Sequence, residues 1–151
     1  MISLKEITAD NWVEAIKLTV KKEQENFVAS NAVSIAQSKF QPFIECFGIY
    51  TDETMVGFSA LAKNPEDGTA WIVRHMIGEN FQGKGYGKEG LKALIKMMEK
   101  KYSCTEIFLD VASDNEVASK LYKKAGFKET GKKHDESPIL KLNLDEYSEN
   151  Y

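Results

Sequence analysis

The chain has 151 residues, 42% of them hydrophobic and 28% charged, with a formal net charge of −3, a composition that predicts one globular domain over residues 1–151. The small acidic excess argues against a nucleic-acid partner, which calls for a basic surface, and no stretch approaches the ~18 apolar residues of a membrane span. Residues 1–7 have no long apolar run behind a basic start, so no secretory leader is expected; Cys46 and Cys104 lack metal-type or CxxC spacing and read as two buried thiols in a reducing compartment, so the cytoplasm, with no metal, is expected.

Residues 2–7 alternate as a short strand. Asp10 is a candidate N-cap for a helix to about residue 20, with Trp12, Ile16 and Val20 at fourfold spacing. A polar stretch over residues 21–26 precedes a second helix, from Asn31 to Phe40, which Pro42 stops. Residues 44–51 and 54–63 read as strands around a turn at Asp52 and Glu53. Pro65, Asp67 and Gly68 mark another turn, and residues 69–77 form a third strand. The clearest helix follows a glycine-rich loop, with Leu91, Leu94, Ile95, Met98 and Tyr102 on one face. After a strand at 105–112, Ser113 and Glu116 resemble a capping box opening a helix that Gly126 ends. A strand pair near 127–133 and 137–144 closes the chain, with Pro138 favouring an edge position.

The chemistry begins in the loop Gln82, Gly83, Lys84, Gly85, Tyr86, Gly87, Lys88. Glycines let a backbone approach a ligand and turn its N–H groups toward it, and the following helix adds the positive end of its macrodipole. That combination suits phosphate or pyrophosphate. A nucleotide P-loop fails because Glu89 follows Lys88 where Ser or Thr is needed. The dinucleotide pattern GxGxxG is met literally by Gly85, Gly87 and Gly90, with Asp110 twenty residues on. It fails on context, because residues 78–84 separate strand from loop and alternating βαβ units are lacking.

Two separated motifs instead resemble the GCN5-related N-acetyltransferase (GNAT) family. Gln82, Gly85 and Gly87 match its [QR]xxGx[GA] loop, and Asn115, Ala118, Leu121, Tyr122, Gly126 and Phe127 match its N…A…LY…GF helix. The resemblance covers nearly the whole chain. It implies an α/β (α+β) fold, with a mixed, mostly antiparallel twisted sheet of six to seven strands flanked by about four helices. It also implies acetyl-coenzyme A as co-substrate, held by residues 82–88 at its pyrophosphate and by the backbone of His75, Met76 and Ile77 at its pantetheine arm. Asn115 would contact that arm. Tyr122 would protonate the departing thiolate, and a homodimer is the family's suggestion.

The general base is open. An alkylammonium, with a pKa of ~10.4, must shed a proton before attack, and residues 70–78 contain no Asp or Glu. His75 has a suitable ordinary pKa, but its place in the strand favours packing or cofactor contact, so a water chain or a carboxylate from elsewhere is preferred. Trp71 and Arg74 ahead of the loop resemble bacterial spermine/spermidine (diamine) acetyltransferases, which makes a polyamine the expected small-molecule acceptor. Glu23, Glu25, Glu45, Glu53, Glu66 and Asp67 could serve its charge, and Glu45, Trp71 and Arg74 are candidate substrate contacts. An unpaired Arg74 would better suit an amine that carries a carboxylate, such as an amino acid, and a protein amine is a further alternative. A domain that senses acetyl-coenzyme A without catalysis is the alternative from another class, and intact Tyr122 and Asn115 speak against it.

Overall fold

A computed structural model describes residues 1–151. Seven strands form one sheet in the order β1 (Ile2–Glu6), β2 (Ile44–Thr51), β3 (Thr54–Lys63), β4 (Ala70–Ile77), β5 (Glu106–Asp110), β7 (Ser137–Asn143), β6 (Lys128–His134). Four α-helices accompany it: α1 (Trp12–Lys17), α2 (Asn31–Phe40), α3 (Tyr86–Tyr102) and α4 (Glu116–Ala125). Every strand contact is antiparallel except β4 with β5. The mixed, mostly antiparallel architecture is therefore present as expected.

Alternation along the strands splits the core in two. Leu61 joins α3, α4 and β5 in one cluster, while its neighbours Ala60 and Ala62 join Ala15, Phe58 and Met76 in another. Successive side chains of a strand point to opposite faces, so these are the two sides of the sheet. Leu91, Leu94, Ile95 and Met98 of α3 are all within 1% of full burial.

Several sequence expectations need correction. The first helix ends at Lys17, and neither Asp10 nor Trp12 plays its expected part: Asn11 stands at the N-cap and Trp12 is 45% exposed. Its end is fixed from outside, because the buried Asn31 amide donates to the carbonyls of Ala15 and Leu18 (2.9 and 3.2 Å). The cap of α4 is Asn115, whose Oδ1 accepts from the Ala118 N–H at 3.4 Å, and the Ser113–Glu116 box does not form. Pro138 lies on an interior strand, since β7 sits between β5 and β6. Its missing N–H is harmless at the second residue of the strand, and its carbonyl still accepts from Val111 (3.2 Å).

The feature that positions the site is the single parallel pairing. β4 and β5 are in register only at Ala70–Ile107 and Trp71–Phe108. Beyond these pairs the strands part into a wedge, with Ile72, Val73, Arg74 and His75 on one wall and Leu109 and Asp110 on the other. Val73 is an extra residue, between the pairs Ala60–Arg74 and Leu61–Ile72. This bulge re-aims the strand where the wedge opens.

Candidate active site

The loop from β4 to α3 leaves a run of backbone donors free. Gly83 and Gly85 have φ of 79° and 84°, left-handed values that a Cβ would disfavour. The N–H groups of residues 83–88 donate to no protein acceptor; Glu89 is the first to bond, to the Gly85 carbonyl at 3.1 Å. Six successive free amides at the start of α3 form a cradle for an anion, strengthened by the helix macrodipole. The residues present thus fit a diphosphate. Lys84 and Lys88 contribute their backbone to this run, but their side chains do not line the adjoining cavity, and the Lys88 ammonium lies 5.6 Å from the Tyr151 ring centroid.

Two side chains hold the loop in place. Gln82 Nε2 donates to the Ile77 carbonyl and to Gln24 Oε1, both at 3.0 Å, and Gln82 Oε1 accepts from Gln24 Nε2 at 3.3 Å. His75 Nε2 lies 2.9 Å from the Gly87 carbonyl and its Nδ1 lies 2.8 Å from Ser59 Oγ. A carbonyl only accepts, so Nε2 carries the proton and Nδ1 accepts from the Ser59 hydroxyl. Burial pushes the imidazole below its ordinary pKa, partly opposed by the Gly87 carbonyl. Both ring nitrogens are therefore engaged, and His75 is a tie between β3, β4 and α3 that has no lone pair left for a substrate proton.

From the cradle a cavity of about 230 Å³ runs along β4, lined by Met76, Ile77, Tyr86, Gly87, Asn115 and Tyr122 among others. Val20, Gln24, Phe27 and Val28 form its far wall. For Phe27 and Val28 the sequence offers only an apolar pair after a polar run, while Val20 reads there as the last residue of the first helix's apolar face. Asn115 Oδ1 caps α4 while its Nδ2 donates to no protein group, leaving an amide donor in the cleft. Tyr122 is 7% exposed and packs edge-on against Phe127, with ring centroids 5.7 Å apart. Burial pushes its phenol well above the ordinary tyrosine range, and the charge of Asp110 adds to this.

Past Tyr122 the cleft continues between the parted strands, where Arg74, Asp110 and Ser137 line it, and on to Asn64, Glu66, Trp71, Lys133 and His134. Arg74 donates to the Val73 carbonyl (2.8 Å) and to Gln37 Oε1 (3.4 Å), while its Nε is buried without a partner. Burial depresses its pKa and the charge of Asp110 opposes the shift. Trp71 stacks on Phe108 at 5.3 Å and donates from Nε1 to Thr69 Oγ1 at 2.7 Å. Glu45 is not brought to the cleft: it accepts from the Tyr102 hydroxyl (2.7 Å) and pairs with Lys101 (2.9 Å) at the far end of α3. Asp67 is spent on its own turn, accepting from the Thr69 N–H and hydroxyl. Of the six acids singled out from sequence, Glu66 lines the cleft. Asp110, met in the sequence only as a dinucleotide carboxylate, lines it beside Tyr122.

An anion cradle opening along a strand edge toward a buried phenol defines a group-transferase class of protein. The chain matches the model of the Acetyltransferase (GNAT) family over residues 4–127 and belongs to that family. It is an N-acetyltransferase. It is 33% identical over 136 residues to a spermine/spermidine N(1)-acetyltransferase of Bacillus subtilis, covering 86% of this chain and 90% of that protein. Among solved structures it resembles spermidine N-acetyltransferase from Vibrio cholerae in complex with CoA and spermine, with a TM-score of 0.76 and 16% identity, covering 97% of each chain. It also resembles PaiA N-acetyltransferase from Thermoplasma acidophilum in complex with coenzyme A, with a TM-score of 0.70 and 21% identity, covering 95% of this chain and 99% of that one.

Proposed function

We propose that this enzyme transfers the acetyl group of acetyl-coenzyme A to a primary amine of a small polyamine such as spermidine or spermine. The observation that carries the donor half is the unpaired N–H run of residues 83–88, opening into a cavity that leads to the Tyr122 hydroxyl. In this scheme those amides take the diphosphate, and the edge of β4 at His75, Met76 and Ile77 pairs with the pantetheine amides as an added strand would. The Asn115 Nδ2 donates to the same arm. An N–H beside the Val73 bulge faces the thioester oxygen, where such a donor is worth about 3 kcal/mol in comparable acyl transfers. Tyr122 meets the departing sulfur with its proton in place.

The acceptor half rests on the Bacillus relative and on the carboxylates that line the cleft. Beyond Tyr122, Asp110 and Glu66 line the cleft as carboxylates for the ammonium groups of a polycation. Arg74 favours a second acceptor class, because no carboxylate lies within ion-pair distance of it and its Nε is unpartnered. A carboxylate-bearing amine would use that guanidinium. Thioester cleavage with a panel of spermidine, spermine, amino acids and short peptides separates the two. Spermidine is expected to give the highest kcat/KM, and a preference for amino acids of ten-fold or more would transfer the assignment to the second class. Calorimetry with coenzyme A tests the donor half, and absence of binding would remove it.

A further inference from the structure

The acceptor ammonium needs a proton acceptor, and the strand beside the thioester offers none. His75 is closed off by Ser59 and Gly87, and β4 carries no carboxylate. The cavities that meet at Tyr122 are lined by only a few titratable side chains: His75, Tyr86 and Tyr122 on the donor side, and Arg74, His75, Asp110 and Tyr122 on the acceptor side. Asp110 is thus the one carboxylate sharing a cavity with Tyr122, and its charge is felt at both the Tyr122 phenol and the Arg74 guanidinium.

Asp110 does not stand alone. Its Oδ2 lies 3.1 Å from His134 Nδ1, bridging the end of β5 to the end of β6. A carboxylate only accepts, so Nδ1 carries the hydrogen and the His134 Nε2 lone pair is free. His134 lines the outer part of the same cleft with Arg74 and Asp110. A carboxylate that fixes an imidazole's tautomer and stabilises its cation is a general-base arrangement.

We propose that Asp110 and His134 form the base that deprotonates the acceptor. Asp110 Oδ1 receives the acceptor ammonium, and one N–H proton passes through cleft water to His134 Nε2, leaving a neutral amine and an imidazolium held by Asp110. The amine nitrogen forms the new bond to the acetyl carbon as the carbon–sulfur bond breaks. The thiolate takes the Tyr122 proton, and the second proton on nitrogen restores the phenol. His134 then returns its proton to solvent. Other charged groups line the same cleft beside this pair: Arg74 from β4, Lys133 from β6 and Glu66 from the β3–β4 turn.

The inference rests on N-acetyl transfer and on no particular amine, so the probe is whichever amine of the panel the wild-type enzyme acetylates fastest. If spermidine were inert and another amine active, the polyamine assignment alone would fall. Asp110→Asn is expected to lower kcat/KM for the amine about 100-fold, with the coenzyme A Kd within two-fold of wild type. His134→Gln is expected to lower it about ten-fold at pH 7 and to approach the wild-type value near pH 10, where free amine is already abundant. A wild-type pH profile of kcat/KM retained by His134→Gln, or an Asp110→Asn loss that appears equally in coenzyme A affinity, would overturn the proposal. Both side chains are at least 38% exposed, and unchanged thermal midpoints with Asp110→Glu as a conservative control separate lost chemistry from lost fold.

Discussion

Tyr122 combines two properties that rarely meet in one side chain: it lines both cavities of the cleft, and its ring is buried against Phe127. Burial and the Asp110 charge both disfavour the phenolate, so the group stays protonated across the working pH range. In the proposed mechanism a weak acid of this kind would meet the developing thiolate with a hydrogen bond and release its proton only as the sulfur leaves. Tyr122→Phe removes that proton and little packing, since no protein group hydrogen-bonds the hydroxyl. Its kcat is expected to fall about 100-fold, while the coenzyme A Kd and the thermal midpoint stay near wild type. Equal losses in rate and cofactor affinity would make Tyr122 a binding residue. The raised pKa also means that wild-type kcat should show no alkaline decline from this group up to about pH 10.

At the scale of elements, the loop and the start of α3 can be dissected through two glycines that do different things. Gly85 has φ of 84° and a Cβ there would touch nothing within 4 Å, so Gly85→Ala acts through backbone strain alone. It should cost about 1–2 kcal/mol of stability and weaken coenzyme A by disturbing the amides. Gly87 has no such φ, and an added Cβ would sit 3.7 Å from Ile77 and 3.9 Å from Leu121, two residues that line the cavity beside the cradle. Gly87→Ala should therefore leave the unliganded protein's urea midpoint unchanged and still weaken coenzyme A; a stability loss equal to that of Gly85→Ala would contradict this division. The loop was legible in the sequence because glycine spacing and the amphipathic α3 are local signals. Likewise β2 and β3 were read to the residue, since alternation and the Asp52 turn fix them. Helix α1 was overrun, because its stop is supplied by Asn31, a side chain thirteen residues past Leu18. Asp110 and His134 are not legible as site residues for the same reason at larger range: the parting of β4 from β5, a property of the whole sheet, brings them to one cleft, while Gln24 reaches the site through its bonds to Gln82, 58 residues away.

For the whole molecule, Tyr122 and several half-buried groups set the pH range of stability. Below the ordinary tyrosine value of ~10, Tyr102, Tyr122 and Tyr151 are neutral in both folded and unfolded chains; above it the unfolded chain releases protons that the folded one retains, so stability falls as pH rises. Desolvation leads in all three, with the Glu45 hydrogen bond adding at Tyr102 and Tyr147 at Tyr151. His75 works at the other end. Its folded pKa is depressed, so as pH drops through ~6.5 the unfolded chain binds a proton first and stability falls again. Burial raises the Cys46 and Cys104 thiols as well, so the alkaline fall begins at the ordinary thiol value, and urea midpoints measured from pH 5 to 11 should show a plateau between about 6.5 and 8.5. The acid shoulder has a single named source, which makes it the sharper test. His75→Gln, which keeps an N–H donor near the Gly87 carbonyl but cannot titrate, should lower the plateau and flatten the decline between pH 6.5 and 5. Were the decline to persist undiminished in that variant, the imidazole buried between Ser59 and Gly87 would not be the group that limits the protein in acid.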